Sequence, residues 1–230
     1  TLCMDDYFCP LTAEELELLH KNKLDLEKPT RVDIPFFREQ LGQILAGEEI
    51  ALPRFDFKNS KRIFDGRTLR RKPGELIIME GIHALNPSVT GYDDETTRIY
   101  VSVRTRITAH DGSVLHPSKI RLVRRMLRDK LGRNRAFSQT VANRIRVDQG
   151  EQRYIMPFKP RAHCSIDSFH SAEMAVYHTC LLDELDALET TLPDLADVVK
   201  VLRELPALDP ALVPHDSLLR EFIGDSSLNY

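Results

Sequence analysis

Glu75-Leu-Ile-Ile-Met-Glu-Gly81 is the stretch on which the fold turns. A compact apolar run that stops at an acid and a glycine is the pattern of a strand buried on both faces, with a carboxylate at its carboxyl end. Upstream, Thr1 to Met4 reads as a second short strand that ends in the acidic pair Asp5-Asp6 before Tyr7-Phe8-Cys9-Pro10. Downstream, Arg98 to Val103 and Ala162 to Asp167 read as further strands. Helical segments separate them. Ala13 to Lys21 follows Thr12 as cap, and Val32 to Ala46 carries Phe36, Phe37, Leu41, Ile44 and Leu45 near helical spacing, with Gly47 placed for a left-handed end. Pro117 to Leu131 is helical and breaks at Gly132-Arg-Asn-Arg135, and Ser138 caps a helix running toward Arg146. Ala172 to Glu189 turns Met174, Val176, Tyr177, Leu181, Leu182, Leu185 and Leu188 toward a core. Strands separated by helices predict an α/β fold with a mostly parallel sheet flanked by helices. Ala51 to Arg71, with the Asp65-Gly66 turn, reads as a loop or small hairpin excursion. The proline-punctuated stretch after Leu192 reads as a helical appendage, so residues 1–190 are expected to form the α/β domain and 191–230 a helical C-terminal extension.

The 230 residues carry 32 basic and 35 acidic side chains, a net charge of −3, enough apolar residues for a sizeable core, and no apolar run near the ~20 residues of a membrane span. With no basic leader opening the chain, a cytoplasmic location is expected. Cys3, Cys9, Cys164 and Cys180 form no C-x-x-C pair and read as reduced thiols packed as small hydrophobes. The histidines show no metal-ligand spacing. Because Thr1 opens on a strand already under way, the chain is expected to be part of a longer protein.

Two patterns carry chemistry. Lys119 to Arg135 holds eight basic residues against Asp129 alone, and the rest of the chain without that net +7 stands at −10. Arg121, Arg124, Arg125 and Arg128 share one helical face opposite Leu122, Val123, Met126 and Leu127. Self-repulsion along such a stripe calls for an anion, and guanidinium forks suit phosphate oxygens. A solvated charged face and a helix-turn-helix DNA reader are the competing readings, the acidic remainder counting against nucleic acid. The second pattern is the set of acids at strand ends, Asp5, Asp6 and Glu80, at the edge where open α/β sheets bind ligands. Carboxylates there can take a proton from a hydroxyl or hold Mg²⁺ through water, or they can simply cap the next turn. Phe55 and Phe57 in Leu52-Pro-Arg-Phe-Asp-Phe-Lys58 can stack on a base or line a hairpin. Only Gly42 to Gly47 has phosphate-loop glycine spacing, and it is followed by Glu48-Glu49, which would repel phosphate.

Met-Asp-Asp-Tyr-Phe (4–8), Leu-Pro-Arg-Phe-Asp-Phe (52–57), Ile-Met-Glu-Gly-Ile-His-Ala-Leu-Asn (78–86), Arg-Leu-Val-Arg-Arg-Met-Leu-Arg-Asp (121–129) and Leu-Leu-Arg-Glu-Phe-Ile-Gly (218–224) occur in the order in which they occur in one family. On these stretches the chain resembles the uridine kinase and phosphoribulokinase group of P-loop kinases, in particular bacterial uridine-kinase-like nucleoside kinases. The resemblance implies a P-loop-kinase-like sheet whose first strand and phosphate loop would precede Thr1, ATP and Mg²⁺ as cofactors, and a nucleoside substrate. It implies Asp5 as the base facing the nucleoside 5′-hydroxyl and, with Glu80, as part of the Mg²⁺ and water network. Asp6, Phe8, Glu27, Phe55, Phe57 and Arg125 are implied on the substrate side. Arg125, Arg128, Arg133 and Arg135 are implied to reach the phosphates, with Arg128 in a catalytic role. Glu27 stands where the family has a ribose-binding Asp, and Ser60 where it has a base-reading His. Two other readings are a non-catalytic nucleotide-binding or regulatory module and the helix-turn-helix binder. No membrane partner is expected, and self-association is left open.

Overall fold

The structure, a computed structural model, describes residues 1–21, 23–57, 59–91, 96–188 and 190–228. In chain order it forms β1 (Leu2–Cys3), α1 (Ala13–His20), α2 (Ile34–Leu45), β2 (Glu49–Ala51), β3 (Arg54–Asp56), β4 (Lys61–Ile63), β5 (Thr68–Arg70), β6 (Met79–Glu80) and α3 (Pro87–Thr90). There follow β7 (Ile99–Ser102), β8 (Ile107–Thr108), β9 (Val114–Leu115), α4 (Pro117–Arg133), α5 (Phe137–Tyr154), β10 (Cys164–Asp167), α6 (Glu173–Leu188), α7 (Ala196–Glu204) and α8 (Arg220–Ile223). Two compact units result, Thr1–Tyr100 with Arg146–Cys164, and Val101–Ile145 with Ser165–Tyr230. The expected boundary at 190/191 is not where the chain divides. Residues of the tail share a core with α4 and α6 in the second unit, because Val198, Val199, Leu202, Leu219 and Phe222 need an apolar partner and those helices offer one.

The first unit is built on a parallel pair. β1 and β6 run side by side with Leu2 opposite Met79 and Cys3 opposite Glu80. Leu2, Met4, Tyr7, Val32, Phe37, Ile44, Ile50 and Val89 form the core. Asp5 and Asp6 stand in a 3₁₀ turn, Met4–Tyr7, directly after β1. The Tyr7 hydroxyl donates to Gln40 Oε1 at 2.7 Å, and Gln40 Nε2 donates to the Ala51 carbonyl at 2.9 Å, so one buried amide joins this turn, α2 and β2. α1 begins in a reciprocal capping box between Thr12 and Glu15, and α2 is capped by Asp33, whose carboxylate accepts from Phe36 N–H. Gly47 takes the left-handed conformation expected after α2, at φ 79°. The excursion after it is two antiparallel hairpins, β2 with β5 and β3 with β4.

The sheet departs from the sequence reading in two respects. Among the described residues it exists as five two-stranded pieces and no single sheet. β1–β6 is parallel, and β7 lies beside β10 in the same sense, His163 N–H donating to the Arg98 carbonyl and Ser168 N–H to that of Ser102. The other three pairs include the antiparallel hairpins of β2 to β5 and of β8 with β9. Glu75 to Met79 is also not a strand buried on both faces. Ile77 and Met79 pack on the core, whereas Leu76 is 94% and Ile78 66% exposed, and only Met79–Glu80 pairs, with β1 as its one partner among the described residues. An apolar run reports that a segment can be buried, and a neighbour decides whether it is.

In the second unit α4 turns Leu122, Val123, Met126 and Leu127 into the core, as its pattern predicted. It extends past Gly132 to Arg133, and Asn134 makes the left-handed turn at φ 46°. Ser138 is no cap: α5 starts at Phe137 and runs on to Tyr154, well beyond Arg146. α6 presents its expected apolar face through Leu188, and Glu189 lies outside the described residues. At the centre, Arg124 Nε and Nη2 donate to the two carboxylate oxygens of Glu173 at 2.7 and 3.0 Å, and Arg124 Nη2 also donates to the Ser168 carbonyl. Both side chains are buried, and the guanidinium lies 5.0 Å from the Phe222 ring centroid. No helix among the described residues is long and apolar enough to cross a membrane.

Two predictions follow from these contacts. A Cβ on Gly81, at φ 153°, would lie 2.6 Å from Met4 Cβ, and one on Gly150 would lie 2.5 Å from Glu27 Cβ and Cγ. Gly81→Ala and Gly150→Ala should each lower stability by about 1–3 kcal/mol in urea unfolding, as overpacking does. For the buried pair, Arg124→Met and Glu173→Leu should each cost about 3–5 kcal/mol by stranding a charge, with the double variant costing markedly less than their sum. Additive losses in that cycle would show the pair to be uncoupled.

Candidate functional site

The parallel register of β1 and β6 brings the strand-end acids to one edge. Cys3 pairs opposite Glu80, and Asp5 follows two residues after Cys3. The Cys3 thiol donates to the Glu80 carboxylate and feels the charge of both Glu80 and Asp5. Burial, reinforced by that hydrogen bond, pushes this thiol up to about 12. A carboxylate pair flanking a neutral thiol is therefore the local chemistry. Sequence reading took Cys3 only as a small packed thiol, because a single cysteine inside an apolar run carries no further pattern.

Asp6 has a different task. Its Oδ1 accepts Phe55 N–H at 3.1 Å, fastening β3 beside the Met4–Tyr7 turn. This is the capping alternative for one of the two acids. It draws Phe55 into a cluster with Phe8 and Phe57, ring centroids 5.1 to 5.8 Å apart and all edge-on. Phe55 is buried, while Phe57 is 62% exposed, so the cluster ends in an open aromatic face. Arg62 supports it from behind, donating to Asp33 Oδ2 at 3.0 Å and to the Tyr7 and Phe8 carbonyls, with its guanidinium over Phe36. Nothing in the sequence singled out Arg62, since its partners are backbone carbonyls from a segment 54 and 55 positions away. Ser60 takes φ 50°, and its Oγ accepts Leu11 N–H.

Glu27 is half-buried against α5, where Gly150 leaves it room. His83, dismissed as uninformative on spacing, is buried just after β6 and hydrogen-bonds the Glu27 backbone, and burial pushes its imidazole down toward the neutral form. Thus the end of β6 also positions the Glu27 segment. Asp5, Asp6, Phe8, Glu27, Phe55, Phe57 and Glu80 all belong to the first unit.

Arg125, Arg128, Arg133 and Arg135 belong to the second unit. The counter-charges predicted for this stripe are in large part the chain's own acids. Arg124 is spent on Glu173, Arg128 Nη1 donates to Glu221 Oε1 at 2.8 Å, and Arg135 Nη1 donates to the buried Asp129 Oδ2 at 3.2 Å. Lys130 pairs with Glu184 and Lys119 with Asp197. Arg125 is half-buried, and the Arg133 side chain lies outside the described residues. A charge run seen in sequence shows where cations are, and its balancing acids, drawn from α6, α7 and the tail, lie some 50 to 90 positions further on.

Among the described residues no group of three or more His, Cys, Asp or Glu side chains could enclose a metal ion. Oxygen donors from Asp5 and Glu80 beside one strand edge fit Mg²⁺ in its usual form, held by one or two carboxylates and otherwise hydrated. The thiol gives a direct check on this edge. Iodoacetamide at pH 8 should label the exposed Cys164 well before Cys3, by about ten-fold or more, since the thiolate is the reactive species. Glu80→Gln should accelerate labelling of Cys3 several-fold while leaving Cys164 unchanged, as read by peptide mass spectrometry.

No family model matches the chain. Curated proteins do. The chain is similar to the uridine kinase of Streptococcus equi subsp. zooepidemicus, 28% identical over 145 residues that cover 63% of this chain and 57% of that protein. It is similar to the uridine kinase of Ureaplasma parvum serovar 3, 26% identical over 166 residues, 72% of each. A third relative is the uridine kinase of Streptococcus pyogenes serotype M5, 29% identical over 119 residues, 52% of this chain and 50% of that protein. The chain thus spans little more than half the length of the streptococcal relatives it matches. These relatives share one name, and the chain is similar to each of them at 26 to 29% identity.

Proposed function

We propose that the protein to which this chain belongs is an ATP-dependent, Mg²⁺-requiring kinase that phosphorylates the 5′-hydroxyl of a nucleoside. The observation that carries the reading is the β1–β6 register, which sets Asp5 and Glu80 at one strand edge in the same unit as the Phe8, Phe55 and Phe57 cluster that is open at Phe57. The similarity to uridine kinases supports the reaction class.

Asp5 accepts the proton of the attacking hydroxyl. Within hydrogen-bond reach of that hydroxyl, its carboxylate takes the proton as the oxygen bonds to the transferring phosphorus and ADP departs, so no free alkoxide has to form. Asp5 and Glu80 would hold a hydrated Mg²⁺, and Mg²⁺ bound there would neutralise charge on the transferring phosphoryl group. Phe57 offers its exposed ring to the base, backed by Phe55 and Phe8, while Asp6 keeps Phe55 in place. Glu27, held through His83, meets the ribose. Arg125, Arg128, Arg133 and Arg135 serve the phosphates, where guanidinium forks bind oxygen bidentately and stabilise developing charge. With Glu27 and Ser60 at positions where uridine kinases carry Asp and His, the base need not be uracil.

Phosphate transfer from ATP to a panel of nucleosides by the full-length polypeptide, with Asp5→Asn alongside, tests the proposal. We expect transfer to at least one nucleoside and a loss of about 10²-fold or more in kcat in the variant, with nucleoside affinity retained. Residues 1–230 contain no G-x-x-x-x-G-K-[ST] run, and by themselves should transfer little. Nucleotide binding without transfer to any nucleoside, in a folded full-length protein, would instead establish the non-catalytic nucleotide-binding reading.

A further inference from the structure

Within the second unit, the tail holds a carboxylate against a phosphate-type arginine. Arg128 is half-exposed on α4, and its Nη1 donates to Glu221 Oε1 at 2.8 Å. Glu221 reaches this position from a backbone fixed by its neighbours. Leu219 and Phe222 are buried in the unit's core, Arg220 is buried and donates to the Val213 and Pro210 carbonyls, and Phe222 lies under the Arg124 guanidinium. Gly224, at φ 87°, then turns the chain away. Three anchored residues around one polar one leave Glu221 able to rotate its side chain but unable to withdraw with the tail. Arg124, one turn earlier on α4, is fully engaged by Glu173 and the Ser168 carbonyl, so it cannot take over the role of Arg128.

We infer that Glu221 is an internal competitor for the anion that Arg128 receives. Its carboxylate fills part of the guanidinium fork, and any phosphate oxygen bound by Arg128 must displace it and then tolerate it as a like charge close by. The inference rests on the reading of Arg128 as a phosphate-binding residue. It adds a residue that sets the strength of that binding and weights it toward ligands that carry several negative charges. Because the pair is half-exposed, its strength is modest, and the competition tunes affinity without abolishing it.

The test is titration of the 230-residue chain with inorganic tripolyphosphate at low ionic strength, followed through the Arg128 Nε–H signal in ¹⁵N NMR. Glu221→Gln keeps the shape and removes the charge, and it should bind about three- to five-fold more tightly than the native chain, with the gain shrinking as salt rises. Glu221→Ala serves as the second variant, and thermal melts report whether each remains folded. An Arg128 signal that shifts on titration, with affinity unchanged or weakened in both variants, overturns the competitor role while leaving the phosphate role of Arg128 standing. A signal that does not move in any of the three proteins overturns both.

Discussion

The first unit depends on the pairing of Leu2 with Met79 and Cys3 with Glu80. Two strands of two residues each could not persist alone, and they are held by what they bring together. Met4 buries itself where Gly81 has no side chain, a packing that excludes any Cβ at that position. From that contact follow the 3₁₀ turn after β1, the capture of Phe55 by Asp6, and the aromatic cluster. Chemistry and stability therefore share residues here. The turn that carries Asp5 is the turn that buries Met4 and Tyr7, so this strand edge is held by core packing and not by loop conformation alone.

The second unit solves a charge problem. Eight cations in 17 residues would repel one another, and acids from α6, α7 and α8 answer them. The answers differ in depth. Arg124 and Glu173 are buried and bidentate, a geometry whose worth lies in what is lost when one partner is removed. Arg128 with Glu221 and Lys130 with Glu184 sit at the surface, where such pairs contribute little to stability and can exchange partners. One helix thus divides its basic run into a structural arginine, Arg124, and exchangeable cations four and six positions further on.

Much of this was legible in advance. Helix identities, the Thr12 cap, the left-handed Gly47 and the apolar faces of α4 and α6 follow from periodicity and local hydrogen bonding, which depend on residues within a few positions of one another. The acids at strand ends were visible for the same reason. Arg62, Cys3, His83, Gly150 and Glu221 were not, because each matters through a partner far away in the chain: the Tyr7 and Phe8 carbonyls, Glu80, the Glu27 backbone, the Glu27 side chain and Arg128.

What the sequence determined by itself is the main helices, the positions of the carboxylates and guanidinium groups, and a similarity to uridine kinases carried by motifs in order. The tertiary structure decided which of those groups are spent on the fold. Asp6 and Asp5 are adjacent in sequence and identical in chemistry, yet one fastens Phe55 while the other stands beside Glu80 and Cys3. Arg124 and Arg128 are one helical turn apart, yet one is buried on Glu173 and the other meets the tail at the surface. The reason is physical: a side chain's charge and reach are properties of its residue, but its desolvation and its partner are supplied by segments that only folding brings near.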